Sequence, residues 1–65
     1  MKIDVNGMPQ DVEAATVEEA LQILGWSGQR VATALNGTFV PAAARDETAL
    51  SPGDRLEVLT AMQGG

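Results

Sequence analysis

The chain has 65 residues, nine acidic against four basic side chains for a net charge of −5, and neither cysteine nor histidine. A chain this short makes one domain, burying only about 60% of the surface it exposes when unfolded, and it must do so without disulfides. The missing thiols and imidazoles exclude the usual zinc ligand sets. The four cations Lys2, Arg30, Arg45 and Arg55, scattered along the chain, argue against a nucleic-acid partner, whose phosphates demand many more.

Lys2-Ile3-Asp4-Val5 alternates apolar and charged residues at period two, the pattern of a half-buried strand. Asn6-Gly7 predicts a two-residue type I′ turn, because both residues tolerate positive φ. Val5 should then face Met8, and Ile3 face Gln10. The return strand, over about residues 8–13, puts Met8 and Val12 on the face of Ile3 and Val5. Pro9 has no N–H to give and belongs where that group would point to solvent.

Thr16-Val17-Glu18-Glu19 has capping-box spacing: Thr16 accepts from the Glu19 amide while Glu19 reaches back to the Thr16 amide. Two acids in the first turn also suit the positive end of the helix dipole. Val17, Ala20, Leu21 and Leu24 form one apolar stripe, and Gly25 is the left-handed stop. A helix this short does not persist alone, so it must pack on a sheet.

Residues 26–30 form a loop, residues 31–35 a strand, Asn36-Gly37 a second tight turn, and residues 38–40 its return, ended by Pro41. Residues 42–49 show no clean period and predict irregular or 3₁₀ structure. Ser51-Pro52-Gly53-Asp54 is a turn with proline in its second place. Arg55-Leu56-Glu57-Val58-Leu59 alternates again, with Leu56 and Val58 inward.

One helix covering one face of a mixed sheet of four to five strands is a two-layer α+β domain. It occupies residues 1–59, with the last strand beside the first and a flexible C-terminal tail over residues 60–65. In the second hairpin Val31, Thr33, Leu35 and Val40 share a face, while Ala32, Ala34 and Phe39 share the other. Only one face can lie under the helix, so the opposite one keeps an apolar patch in water, as interaction surfaces do.

No internal residue has the makings of an active site. Histidine, cysteine and tyrosine are all missing, so base, thiol nucleophile and phenolic acid are missing too. Glu18 and Glu19 serve the helix start, and Asp46 and Glu47 read as a solvated pair. The tail differs, closing on Gln63-Gly64-Gly65. With glycine near 7% of residues on average, a chance terminal pair is a roughly 0.5% event. A terminal carboxyl is ionised at neutral pH and is a poor electrophile until activated, most simply as an acyl-adenylate. Without a Cβ, Gly64 and Gly65 can thread a narrow channel. The five residues from Ala61 reach at most about 17 Å, enough to enter a partner's pocket while the body stays outside. Leu59 and Met62 lie near the root of the tail, where they could anchor a docked partner, with Phe39 on the apolar patch.

In this order and length, these pieces resemble the β-grasp, ubiquitin-like fold and its ThiS family of sulfur carriers. The resemblance covers the whole chain. It rests on Met1-Lys2-Ile3-Asp4-Val5-Asn6-Gly7, Thr16-Val17-Glu18-Glu19-Ala20-Leu21, Val31-Ala32-Thr33-Ala34-Leu35-Asn36-Gly37, Val40-Pro41, Pro52-Gly53-Asp54 and Gln63-Gly64-Gly65. Met62 stands where a branched aliphatic residue is expected, and keeps its apolar character.

The resemblance implies a carrier without catalysis of its own. An adenylyltransferase would adenylate the Gly65 carboxylate with ATP and magnesium. A sulfur donor, a cysteine desulfurase or persulfide system, would turn it into a thiocarboxylate, and thiazole synthase would take the sulfur. The same fold and tail serve carriers for molybdopterin or cysteine synthesis, and a protein modifier joined to lysines would share the activation step. A plain binding domain is the remaining alternative. No apolar run nears the roughly 20 residues that span a bilayer, and Met1-Lys2 opens no signal peptide. The expectation is a complete, cytoplasmic chain, monomeric when free.

Overall fold

The computed structural model describes residues 1–60. Five strands, β1 (Lys2–Val5), β2 (Met8–Asp11), β3 (Val31–Leu35), β4 (Thr38–Val40) and β5 (Arg55–Thr60), form one sheet in the order β2-β1-β5-β3-β4. The helix α1 (Val17–Leu24) carries the chain from β2 to β3, and a 3₁₀ helix (Ala42–Glu47) precedes β5. This is the β-grasp arrangement. The last strand lies beside the first, as expected, and its parallel pairing with β1 and antiparallel pairing with β3 make it the central strand.

Both hairpins have the expected register. Val5 faces Met8 and Ile3 faces Gln10, and Asn6 and Asn36 sit at φ 54° and 51°, the left-handed values that their turns demand. Pro9 lies opposite Asp4, whose own N–H is turned the other way, to the Asp54 carbonyl at 2.9 Å. The missing donor of Pro9 therefore costs the β1–β2 ladder nothing. Strand β2 ends at Asp11, two residues short of the expected span, yet Val12 is buried as predicted. Met8 is not: it shares the face of Val5 but sits on the edge strand, 62% exposed.

Thr16 caps α1, its Oγ1 accepting from the Glu19 amide at 3.2 Å. The reciprocal bond is displaced by one residue, because Glu19 Oε1 accepts from the Ala15 amide at 2.8 Å, not from that of Thr16. Gly25, at φ 89°, ends the helix, and Trp26 N–H bonds back to the Leu21 carbonyl at 2.8 Å, the six-to-one bond of a Schellman cap. Val17, Ala20 and Leu21 are buried against Ile3, Val5, Leu56 and Val58, with Leu24 half-buried at the margin. Backbone bonds from Val17 N–H to the Thr48 carbonyl and from Leu50 N–H to the Ala15 carbonyl, both 2.9 Å, tie the helix entry to the segment before β5. Among the described residues no helix is long and apolar enough to cross a membrane.

Candidate docking face and root of the tail

With Ile3, Val5, Leu56, Val58 and Thr33 turned to the helix, the period of two sends their neighbours to the opposite face. Lys2, Asp4, Arg55 and Glu57 make one half of that face charged. The other half is apolar: Ala32 lies opposite Leu59, and Ala34 lies between Phe39 and Glu57. The small alanines leave Leu59 and Phe39 standing proud, each 66% exposed. The apolar patch expected opposite the helix is present, and Leu59 extends it to the end of β5.

The strand that leads to the tail is fastened along its length. Asn36 Oδ1 accepts from the Arg55 amide at 2.9 Å, and its backbone N–H donates to the Arg55 carbonyl at 2.8 Å. Asn36 Nδ2 donates to Asp54 Oδ1 at 3.1 Å. Asn6, in the other turn, bonds both backbone groups of Val58. Thr60 lies opposite Val31, so β5 runs one residue past its expected end at Leu59. The two Asn-Gly signals thus do more than make turns. Their side-chain bonds to β5 left no sign in the hydrophobic pattern.

The 3₁₀ helix adds a second fastening. Thr33, 1% exposed, donates from Oγ1 to the Val40 carbonyl at 2.8 Å and accepts from Arg45 Nε at 3.1 Å. Arg45 Nη2 also donates to the Val31 carbonyl at 2.6 Å. Strand β4 stops at Val40, because Pro41 brings no donor, and the guanidinium takes up the β3 carbonyl beyond its end. Arg45 and Arg30 share one groove of about 480 Å³, floored by Val31, Ala32, Ala42 and Leu59 and ending at Thr60. In sequence the cations are scattered; in the fold two of them meet beside the root of the tail.

Of the residues singled out in sequence, Leu59 and Phe39 are therefore brought to one face, while Met62, Gln63, Gly64 and Gly65 lie outside the described residues.

The chain matches the ThiS family over residues 3–65. Its fold is similar to the crystal structure of a thiamine biosynthesis protein (ThiS) from Geobacter metallireducens, with TM-score 0.83 and 36% identity over 100% of both chains. It is also similar to a solution NMR structure of a thiamine biosynthesis protein from that organism, with TM-score 0.79 and 36% identity over 100% of this chain and 88% of that one. A thiazole synthase of Paramagnetospirillum magneticum is 35% identical over 66 residues, taking in 100% of this chain but 20% of its own length. The chain thus spans about a fifth of that curated relative. Family match over nearly the whole sequence and full-length structural similarity agree: the chain belongs to the ThiS family.

Proposed function

We propose that this protein is the sulfur carrier of thiamine biosynthesis, working through the carboxylate of Gly65. The observation that carries the reading is the family match, which runs through Gly64 and Gly65, together with a central strand, β5, whose last residue Thr60 stands five positions before Gly65 in sequence. An ATP- and magnesium-dependent adenylyltransferase joins the carboxylate to the α-phosphate of ATP and releases pyrophosphate. A sulfur nucleophile from a donor system, a cysteine desulfurase or another persulfide source, then attacks the acyl carbon. The new C–S bond replaces the C–O bond to AMP, which leaves. With a persulfide nucleophile the product is an acyl disulfide, and a second thiol of the donor system breaks its S–S bond, leaving the thiocarboxylate on the carrier and a disulfide on the donor.

Thiazole synthase is the proposed acceptor of that sulfur. The similar segment inside the thiazole synthase of P. magneticum supports this choice, because it places a chain of this kind in one polypeptide with an enzyme of that name. The carrier supplies no catalytic group. Its part is mechanical: a fixed root at Thr60, five residues reaching at most about 17 Å, and glycines that pass where a side chain would not. The apolar half of the outer face, with Leu59 and Phe39 exposed and Met62 following in sequence, is the proposed docking surface.

The test is intact-mass measurement after incubation with the adenylyltransferase, ATP and a sulfur source. One oxygen-to-sulfur exchange is expected at the C-terminus, and none in a chain carrying an added residue after Gly65. An unchanged mass in the native chain would sink the proposal, and Gly-Gly remnants on target lysines in cells would replace it with a protein modifier.

A further inference from the structure

We propose that the groove beside Thr60 is a receptor for a carboxylate side chain of the activating enzyme, with Arg30 and Arg45 as its cationic walls; this rests on the carrier reading above.

The charge distribution points to the occupant. On a protein with nine acids and four basic residues, two of the basic residues line this one groove, and among the described residues no acid lines it. Among the described residues neither guanidinium is in a salt bridge. Arg45 is held in place by neutral acceptors, the Thr33 hydroxyl and the Val31 carbonyl, which orient its fork without neutralising it. A guanidinium so held presents its remaining N–H groups ready-made for a carboxylate, to which its planar geometry is matched. The floor of Val31, Ala32, Ala42 and Leu59 excludes water from one side and strengthens such a pair.

Position gives the groove its role. Leu59 belongs both to the groove and to the apolar docking face, and Thr60 ends at its rim. Any enzyme holding residues 61–65 in its pocket must cover this rim. The net negative charge of the carrier steers it toward a basic surface, but that attraction is diffuse and leaves orientation open. A single positive spot that must meet a negative one sets the register. The groove would therefore turn the docked body so that the tail enters the pocket in one direction.

The experiment measures adenylation of the full-length chain by its adenylyltransferase, as ATP–pyrophosphate exchange over a range of carrier and salt concentrations. Arg30→Glu is the main variant, since Arg30 makes no side-chain hydrogen bond among the described residues. Arg30→Lys and Arg45→Gln accompany it, each checked by thermal melting. Arg30→Glu should raise the KM for the carrier roughly tenfold with kcat unchanged, an effect that shrinks as salt rises. Arg30→Lys should restore most of the affinity, and folded Arg45→Gln should raise KM in the same sense. Wild-type KM for Arg30→Glu at every salt concentration would overturn the proposal. So would a lowered KM, which would mean that the groove holds the chain's own acidic terminus and releases it when the charge is reversed. Failure of the native chain to be adenylated would instead remove the carrier reading itself, a result distinct from any difference between variants.

Discussion

The side-chain amide of Asn6 bonds both backbone groups of Val58, donating from Nδ2 to the carbonyl at 3.0 Å and accepting at Oδ1 from the amide at 2.8 Å. Its own backbone N–H donates to the Leu56 carbonyl at 3.0 Å. Where β1 turns away into its hairpin, one side chain thus continues the ladder along β5. Asn6→Asp keeps the left-handed turn tolerable but replaces the Nδ2 donor with an oxygen facing the Val58 carbonyl. A loss of about 1–3 kcal/mol is expected, the cost of an unmatched partly buried polar group. Urea unfolding measures it. Asn6→Gly, which keeps the turn and removes both side-chain bonds, separates the clip from the φ requirement, and faster hydrogen exchange at Val58 should accompany either change.

Thr33 carries a second linkage that burial alone does not explain. Its hydroxyl sits between the Val40 carbonyl and the Arg45 guanidinium, so that β3, β4 and the 3₁₀ helix meet at one oxygen. Thr33→Val preserves the shape and leaves both partners short of a bond. It should cost about 1–3 kcal/mol in thermal or denaturant unfolding, although by hydrophobicity it would be ranked as stabilising. Thr33→Ser keeps the oxygen and should retain the bonds. Equal stability of Thr33→Val and the native chain would show that the oxygen is dispensable.

Residues whose role is set by near neighbours were legible in the sequence. Asn6-Gly7 and Asn36-Gly37 signalled both hairpins, the Thr16 cap and Gly25 bounded α1, and alternation assigned Leu56 and Val58 to the core. What the sequence hid depends on partners far apart in the chain. The bond from Asn6 to Val58 spans 52 positions, and no period marks it. Leu50 is buried although it follows a stretch without pattern, because the Ala15–Leu50 backbone bond, rather than periodicity, draws it in. Arg30 and Arg45 looked scattered because sequence separation says nothing about convergence on one groove. The expected site residues Leu59 and Phe39 were legible separately, one near the end of the last strand and one on the second hairpin, whereas their sharing of one face needed the strand order, as did the place of Leu59 in the groove.

The start of the chain should give the fold a specific alkaline sensitivity. The Met1 ammonium donates to Asp11 Oδ1 and Glu13 Oε2, each at 3.2 Å, and to the Val12 carbonyl at 2.9 Å. The bonds to Asp11, then Glu13, hold it above its ordinary value of 8.0. A raised value stabilises the fold fully below about pH 8, and that contribution is lost as pH climbs through the folded-state value. Histidine, cysteine and tyrosine are all missing, so no side chain of those types titrates between about pH 7 and 10 to obscure the effect. The melting temperature should therefore fall slightly across that range, less at high salt, because the pair is exposed. The double variant Asp11→Asn, Glu13→Gln should flatten the slope. An equal slope in that variant would mean that another group is responsible.

The outer face can be tested for function apart from stability, because its two large apolar residues contribute little to the core. Phe39 and Leu59 are each 66% exposed, and truncating either to alanine removes mainly surface already in water. Stability should stay within about 0.5 kcal/mol of the native chain, as for most surface substitutions. Binding should not. If the face meets the adenylyltransferase, Leu59→Ala removes an anchor next to the tail root, and Phe39→Ala one at the far side of the Ala32–Ala34 floor. Anchors of this kind cost about 1–2 kcal/mol or more when truncated, a weakening of roughly fivefold to thirtyfold or more in Kd. The rank order is informative, since residues fully covered in a complex lose more than those at its margin. Leu59, shared by the apolar face and the arginine groove, should lose more than Phe39. Calorimetric titration of each variant into the enzyme, with unfolding curves taken on the same samples, would show loss of binding without loss of fold. Retained affinity in the doubly truncated chain would move the docking surface elsewhere.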